Sequence, residues 1–232
     1  RAVVTFVPGK TPGVDFVLSV PRMPSGHAKQ LWQWFAASGA QRWANENLFG
    51  GTLRDSRLSM SVQPGRMGDG VPLQSHEISG HFEVDGARFD VAGQIPPVRD
   101  AVGAIDFRVT DVDIALDAGT VYLPTGRTVA ASQGTLAIRR GELPPVIGDL
   151  DIQVKGAADA VAELASYRPI DAMRHLDLSP DDLSGDVEGN VKARIPLQKD
   201  VDVDDLGWKV ALNYRNLAIA KPFEGQTITD AQ

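Results

Sequence analysis

Ile105-Asp106-Phe107-Arg108-Val109 decides the fold, because apolar side chains take every second position and charged ones fall between them. An extended backbone sends successive side chains to opposite faces, so this segment has one greasy and one charged face as a strand and no coherent face as a helix. The same period runs through the whole of Gly103 to Lys155. Leu136 and Ile138 oppose Arg139, and Leu150, Ile152 and Val154 alternate with Asp149, Asp151 and Lys155.

Working outward, Val3–Val7 and Val14–Val20 are two apolar runs joined by the turn-rich Pro8-Gly9-Lys10-Thr11-Pro12-Gly13, which predicts a hairpin. Leu58, Met60 and Val62 alternate, as do Phe82 and Val84. Asp85-Gly86 then reads as a hairpin turn into Phe89 and Val91. Beyond Pro96-Pro97 come Val112/Ile114/Leu116 and Val121/Leu123. Past the central stretch, Val187, Val191, Ala193 and Ile195 alternate with charged residues, and Trp208–Tyr214 and Leu217–Ala220 read as a further pair. Strands of about seven residues are expected. Gly80, Gly103, Gly119, Gly134, Gly148 and Gly185 stand at their expected boundaries, and the tail from Glu224 is expected to fray.

Two helical interruptions break the pattern, near 25–48 and 157–177. In the first, Ser25 and Ser38 are candidate N-caps, Leu31, Trp34 and Phe35 share a face, and Gly50-Gly51 ends the run. Trp32, Trp34 and Trp43 read as packing residues, with a ligand or membrane-interface cluster as the alternative. In the second, Val161, Leu164 and Ala165 share a face, Pro169 breaks it, and Asp171 caps Ala172–Leu176. The expected fold is mainly β with short helical insertions: an extended, twisted antiparallel sheet, continuous over residues 1–232 as one segment.

Composition narrows the function classes. The formal charge is −7 and the 23 Lys and Arg form no run, so the footprint of a nucleic-acid binder is missing. With no cysteine, disulfides, thiolate metal sites and cysteine nucleophiles are excluded, a composition that suits an oxidising compartment without fixing it. No apolar run approaches the ~18 residues of a membrane span. Arg1 opens directly into a strand-like segment, so the chain is expected to be a piece of a longer protein with targeting and membrane segments upstream.

Motifs for chemistry fail on spacing. Gly9-Lys10-Thr11 lacks the earlier glycine and following helix of a phosphate loop. His76 and His81 are five apart, which on a strand puts them on opposite faces, and neither they nor His27 and His175 predict a metal site. Asp200-Val201-Asp202-Val203-Asp204-Asp205 offers oxygen ligands but lacks the glycine and closing glutamate of a calcium loop, so a solvated turn is expected. There is no Gly-x-Ser-x-Gly elbow. No catalytic residue, metal or cofactor is predicted, and a glycan-active enzyme built on paired carboxylates is the remaining catalytic alternative.

Arg42-Trp43-Ala44-Asn45-Glu46-Asn47-Leu48-Phe49-Gly50-Gly51-Thr52-Leu53 resembles the helix-to-strand junction of the AsmA-like bacterial envelope proteins, in the YhdP-like branch related to TamB. Ser79-Gly80-His81-Phe82-Glu83-Val84-Asp85-Gly86-Ala87, Pro96-Pro97-Val98, Gly134-Thr135-Leu136-Ala137-Ile138, Leu178-Ser179-Pro180 and Ile195-Pro196-Leu197 follow in that family's order. Ala92-Gly93-Gln94 departs from it, where an aromatic-apolar pair is expected. The resemblance spans most of residues 40 to 200. It implies a periplasmic segment of a long protein anchored in the inner membrane, whose β-sheet forms a groove for phospholipid acyl chains. Membrane contact would run through parts outside this chain, and neighbouring segments of the same long chain would be partners. On that expectation the groove is lined by Phe82, Val84, Ile105, Phe107, Val109, Leu136, Ile138, Leu150, Ile152 and Val154. The alternatives for this face are an ordinary closed core and a β-scaffold that joins envelope partners by strand addition.

Overall fold

The computed structural model describes residues 1–31, 44–68, 73–74, 76–91, 93–108, 111–139, 146–175, 178–196, 207–223 and 226–231. In chain order the strands are β1 (Ala2–Thr5), β2 (Gly13–Pro24), β3 (Leu48–Phe49), β4 (Thr52–Val62), β5 (Ile78–Phe89), β6 (Val98–Arg108) and β7 (Asp111–Tyr122). They continue with β8 (Thr128–Arg139), β9 (Ile147–Ala157), β10 (Leu183–Pro196), β11 (Gly207–Phe223) and β12 (Gln226–Ala231). Apart from β3, which pairs with the end of β5, each strand lies beside its neighbour in sequence, in one open sheet that is antiparallel throughout. The fold is mainly β with short helical insertions, as the alternation predicts.

Helix α1 (Ser25–Leu31) follows β2, and α2 (Ala158–Ala165) follows β9. Both lie at the same end of the sheet, where β2, β5, β7 and β9 finish. Ser25 is the first residue of α1 rather than a cap before it. Its hydroxyl donates to the Gly50 carbonyl and its N–H to Gly51, 3.2 Å away, so it ties the helix start to the β3–β4 turn. After α2, Asp171 leads into a 3-10 turn at Ala172–His175.

The strands are longer than the expected seven residues; most have 11 or 12, about 40 Å at ~3.3 Å per residue. The reason is that phase changes in the hydrophobic alternation are β-bulges, not turns. Asp85-Gly86 is the clearest correction. Gly86 takes φ +70° and the chain continues along β5, with a register shift between Val84 and Ala87. Asp100 in β6 and Gln133 in β8 take positive φ at comparable shifts. The three bulges lie just beyond the cross-strand row Val84–Gly103–Leu116–Gly134, toward the helix-bearing end. An extra residue increases local twist and bends its strand, so bulges aligned across neighbouring strands coil the sheet along a line.

Trp208–Tyr214 and Leu217–Ala220 likewise belong to one strand, β11, with Asn216 in the left-handed region between them. The tail expected to fray instead forms β12 against β11. Of the glycines expected at boundaries, Gly80, Gly148 and Gly185 lie within the first three residues of their strands, whereas Gly103, Gly119 and Gly134 lie well inside theirs. A Cβ on Gly80 would sit 2.2 Å from Phe107, and one on Gly119 2.6 Å from Val98.

The core sits at the helix-bearing end. Val98, Val121, Leu123, Val129 and Ala131 from three neighbouring strands and their ends pack with Ala160 and Leu164 of α2. Leu53, Val84 and Ala87 form a second cluster, against which Ala28 of α1 packs. Elsewhere no second layer covers the sheet among the described residues. The chain exposes 14556 Å², against about 10,200 Å² expected for a compact protein of its mass.

Candidate functional site

Cross-strand register puts one set of side chains on one face from β1 to β11. One row runs Phe82, Ile105, Ile114, Leu136, Leu150, Ala193, Trp208. The next, farther from the helices, runs Leu58, Gly80, Phe107, Val112, Ile138, Gly148, Ile195. Ile152 pairs with Val191 and Val154 with Ala131, on the same face. Nine of the ten predicted lining residues therefore share this face; Val109 lies outside the described residues. Trp32, Trp34, Trp43 and the acidic run 200–205 also lie outside them.

Cover along the face is graded. Near the helices it is closed: Val129 is 0% exposed, Val98 and Val121 4% and Val84 6%. Away from them Phe82, Ile105, Phe107, Leu136, Ile138, Leu150, Ile152 and Val154 are half-buried. Phe82 and Phe107 stack at 5.9 Å between ring centroids, over the space left by Gly80. Toward the flank of the sheet the cover is lost, with Val210 and Leu212 each 52% exposed. The result is a channel floor that is sealed at one strand end and open at the other. Ile114, Val112, Val191 and Leu212 extend it beyond the predicted set; their alternation is the same, and only their register could place them in the same rows.

The opposite face holds the charge. Lys155 pairs with Glu188 and Lys192 with Asp151, each at 2.7 Å, and Arg139 with Asp113 at 2.5 Å. His81 is on this face, with Nδ1 2.8 Å from the Asp106 carboxylate and Nε2 3.8 Å from Glu83. The Asp106 hydrogen bond holds its pKa above the ordinary histidine value. His76 lies in the exposed turn before β5, so the two imidazoles do not converge. Among the described residues no three His, Asp or Glu side chains are placed to hold a metal.

The sealed end is fastened by one arginine. Arg127, from the β7–β8 turn, donates to Asp159 at 2.7 Å and Glu163 at 2.9 Å on α2, and to Asp181 in the 3-10 turn before β10. Thr125 adds a hydroxyl bond to Glu163 at 2.5 Å. These partners hold the Arg127 pKa well above its ordinary value. Next to this clasp, Gln94 donates its N–H to the Arg168 carbonyl at 2.9 Å, which seats the β5–β6 loop on the segment after α2.

The face has the chemistry of a surface for aliphatic chains: a broad apolar floor, with the cross-strand ion pairs of β7 to β10 on the reverse side. No described helix is long and apolar enough to cross a membrane. No protein-family model, curated protein or solved structure matches the chain.

Proposed function

We propose that the chain is a periplasmic segment of an AsmA-like envelope protein anchored in the inner membrane, and that its apolar face is part of a groove for phospholipid acyl chains moving between the inner and outer membranes. The observation that carries this reading is the uncovered apolar face running across β2 to β11. Apolar area of this extent is uncommon on a monomer's surface and marks a binding surface for protein, ligand or lipid. An acyl chain fits because the floor offers rows of Ile, Leu, Val and Phe about 6.6 Å apart, with side chains about 4.8 Å apart along each row, and few polar groups to orient a more polar ligand. The family resemblance between residues 40 and 200 supports the same reading and supplies its cellular setting.

The test is photo-crosslinking in the full-length protein in cells, with the crosslinker at Phe107 and Ile152 in the channel and at Asp149 and Glu188 on the charged face. Phospholipid adducts at the channel positions and not at the charged ones are expected. Equal capture at all four, or none in the channel, would sink the proposal. A second reading, a scaffold that joins neighbours by strand addition, rests on β1, which is exposed along its whole length and leaves one edge of the sheet unpaired.

A further inference from the structure

A second concavity opens on the charged face, and Gly80 and Phe107 of the channel rows also contribute to its lining. A hollow of about 730 Å³ is lined by Arg57, Ser59, Ser79, His81 and Arg108 together with Asp106, Asp111, Asp113 and Arg139. Register explains the arrangement. Arg57 is opposite His81, Ser59 opposite Ser79, and Ser79 opposite Arg108. Arg57 leans along its own strand, Nε donating to Ser59 at 3.3 Å, toward the row that holds Ser79 and Arg108.

Several cations on this face are already neutralised. Arg139 is bound to Asp113, and Lys155, Lys192 and Arg194 each reach a carboxylate. Arg57 and Arg108 have no carboxylate within ion-pair distance among the described residues, although they line the same hollow. The carboxylates of the hollow do not supply the missing partner: Asp106 is held by His81 and Asp113 by Arg139, while Asp111, directly opposite Arg108 in register, makes no ion pair with it and adds its charge to Arg139's surroundings. Two guanidinium groups flanking two hydroxyls form a wall that can donate several hydrogen bonds toward one point, an arrangement that suits a tetrahedral oxyanion.

We propose that this wall is a binding site for a phosphate-class oxyanion, gripped by Arg57 and Arg108 across Ser59 and Ser79. His81 flanks the site, facing Arg57, Asp106 and Glu83, and adds positive charge when protonated. The phosphate could arrive free or as the phosphodiester of a headgroup, and the two sources are separable.

The test is NMR titration of the full chain with inorganic phosphate and, separately, with glycerophosphoglycerol, a phosphodiester without acyl chains. The His81 ring resonance is the reporter, assigned by its loss in His81→Gln. The proposal predicts saturable shifts, and about a tenfold or greater weakening in the double variant Arg57→Gln/Arg108→Gln. Arg22→Gln, an exposed arginine on β2 away from the hollow, should leave the affinity unchanged. Because the diester does not titrate near neutrality, its affinity should fall as His81 loses its proton. Saturation by both probes assigns the site to the phosphodiester class, and saturation by inorganic phosphate alone assigns it to the free ion. Shifts that never saturate, that survive in the double variant, or that weaken equally in Arg22→Gln overturn it. Circular dichroism of each variant shows whether the fold is retained; if the double variant has unfolded, Arg57→Lys/Arg108→Lys, which keeps the charge and removes the forks, takes its place and must weaken binding.

Discussion

Asp106 and Asp113 are direct cross-strand partners, a like-charge juxtaposition that by itself weakens a sheet. Each is relieved from the outside, Asp106 by His81 and Asp113 by Arg139. Because His81 has its folded pKa raised above about 6.5, its contribution to stability is fully present below the unfolded value and is lost as pH rises through the raised folded value. Urea midpoints of the wild type and His81→Gln should therefore differ most near pH 5.5 and converge by about pH 9; a gap that widens with pH would contradict the pairing. The glycines make a second residue-scale test. A Cβ on Gly103 would sit 2.0 Å from the Ala115 carbonyl oxygen, backbone that cannot swing away, whereas one on Gly80 meets the edge of the movable Phe107 ring. Gly103→Ala should cost about 3 kcal/mol or more in denaturant unfolding and Gly80→Ala clearly less. Residue identity alone was not enough to anticipate this: the glycines were legible as interruptions in alternation, but their neighbours across the strand were not.

At the scale of elements, α2 and the bulges decide where the apolar face is shut. Leu164 carries the helix into the cluster around Val129, so Leu164→Ala should cost about 2–4 kcal/mol in urea unfolding. Arg127→Ala leaves Asp159, Glu163 and Asp181 without their shared cation, and amide exchange in Ala158–Ala165 should speed up while β6 and β7 stay protected. Exchange unchanged in α2 would mean that the clasp is not what holds it. The second helical insertion was legible from its apolar spacing and from Pro169, while the apolar face expected of the first, at Trp34 and Phe35, and the cap at Ser38 lie outside the described residues; the bulges were misread. Phe82 and Val84 are even-numbered and Ala87 and Phe89 odd, a phase flip that an extra residue in a strand and a hairpin turn both produce. Asp85-Gly86 satisfies the local chemistry of either, since both need a left-handed residue at that point. Only the continuation of the pairing with β6 past the flip separates them.

Across the whole molecule, the contrast between the sealed and open ends should govern tolerance to charge. Ile138→Glu, half-buried at the open end, should leave the protein folded and abolish lipid crosslinking from Phe107. Val129→Glu, with no exposure at all, should unfold the chain or cost several kcal/mol in thermal unfolding. Comparable melting temperatures for the two variants would remove the distinction between floor and core. The sequence by itself determined the sheet, its antiparallel order and which side chains are apolar on one face, because a period of two is a local property of an extended chain and most strands meet the next through a short connection. Which strands run through their glycines, where the sheet coils, and how far the apolar face is covered were decided only by the tertiary structure. Those depend on register, and register is settled by neighbours that can lie more than 30 residues away, as Asp151 and Lys192 do. Burial then follows from which end the helices reach, and α2 with its Arg127 clasp reaches one end and leaves the other open.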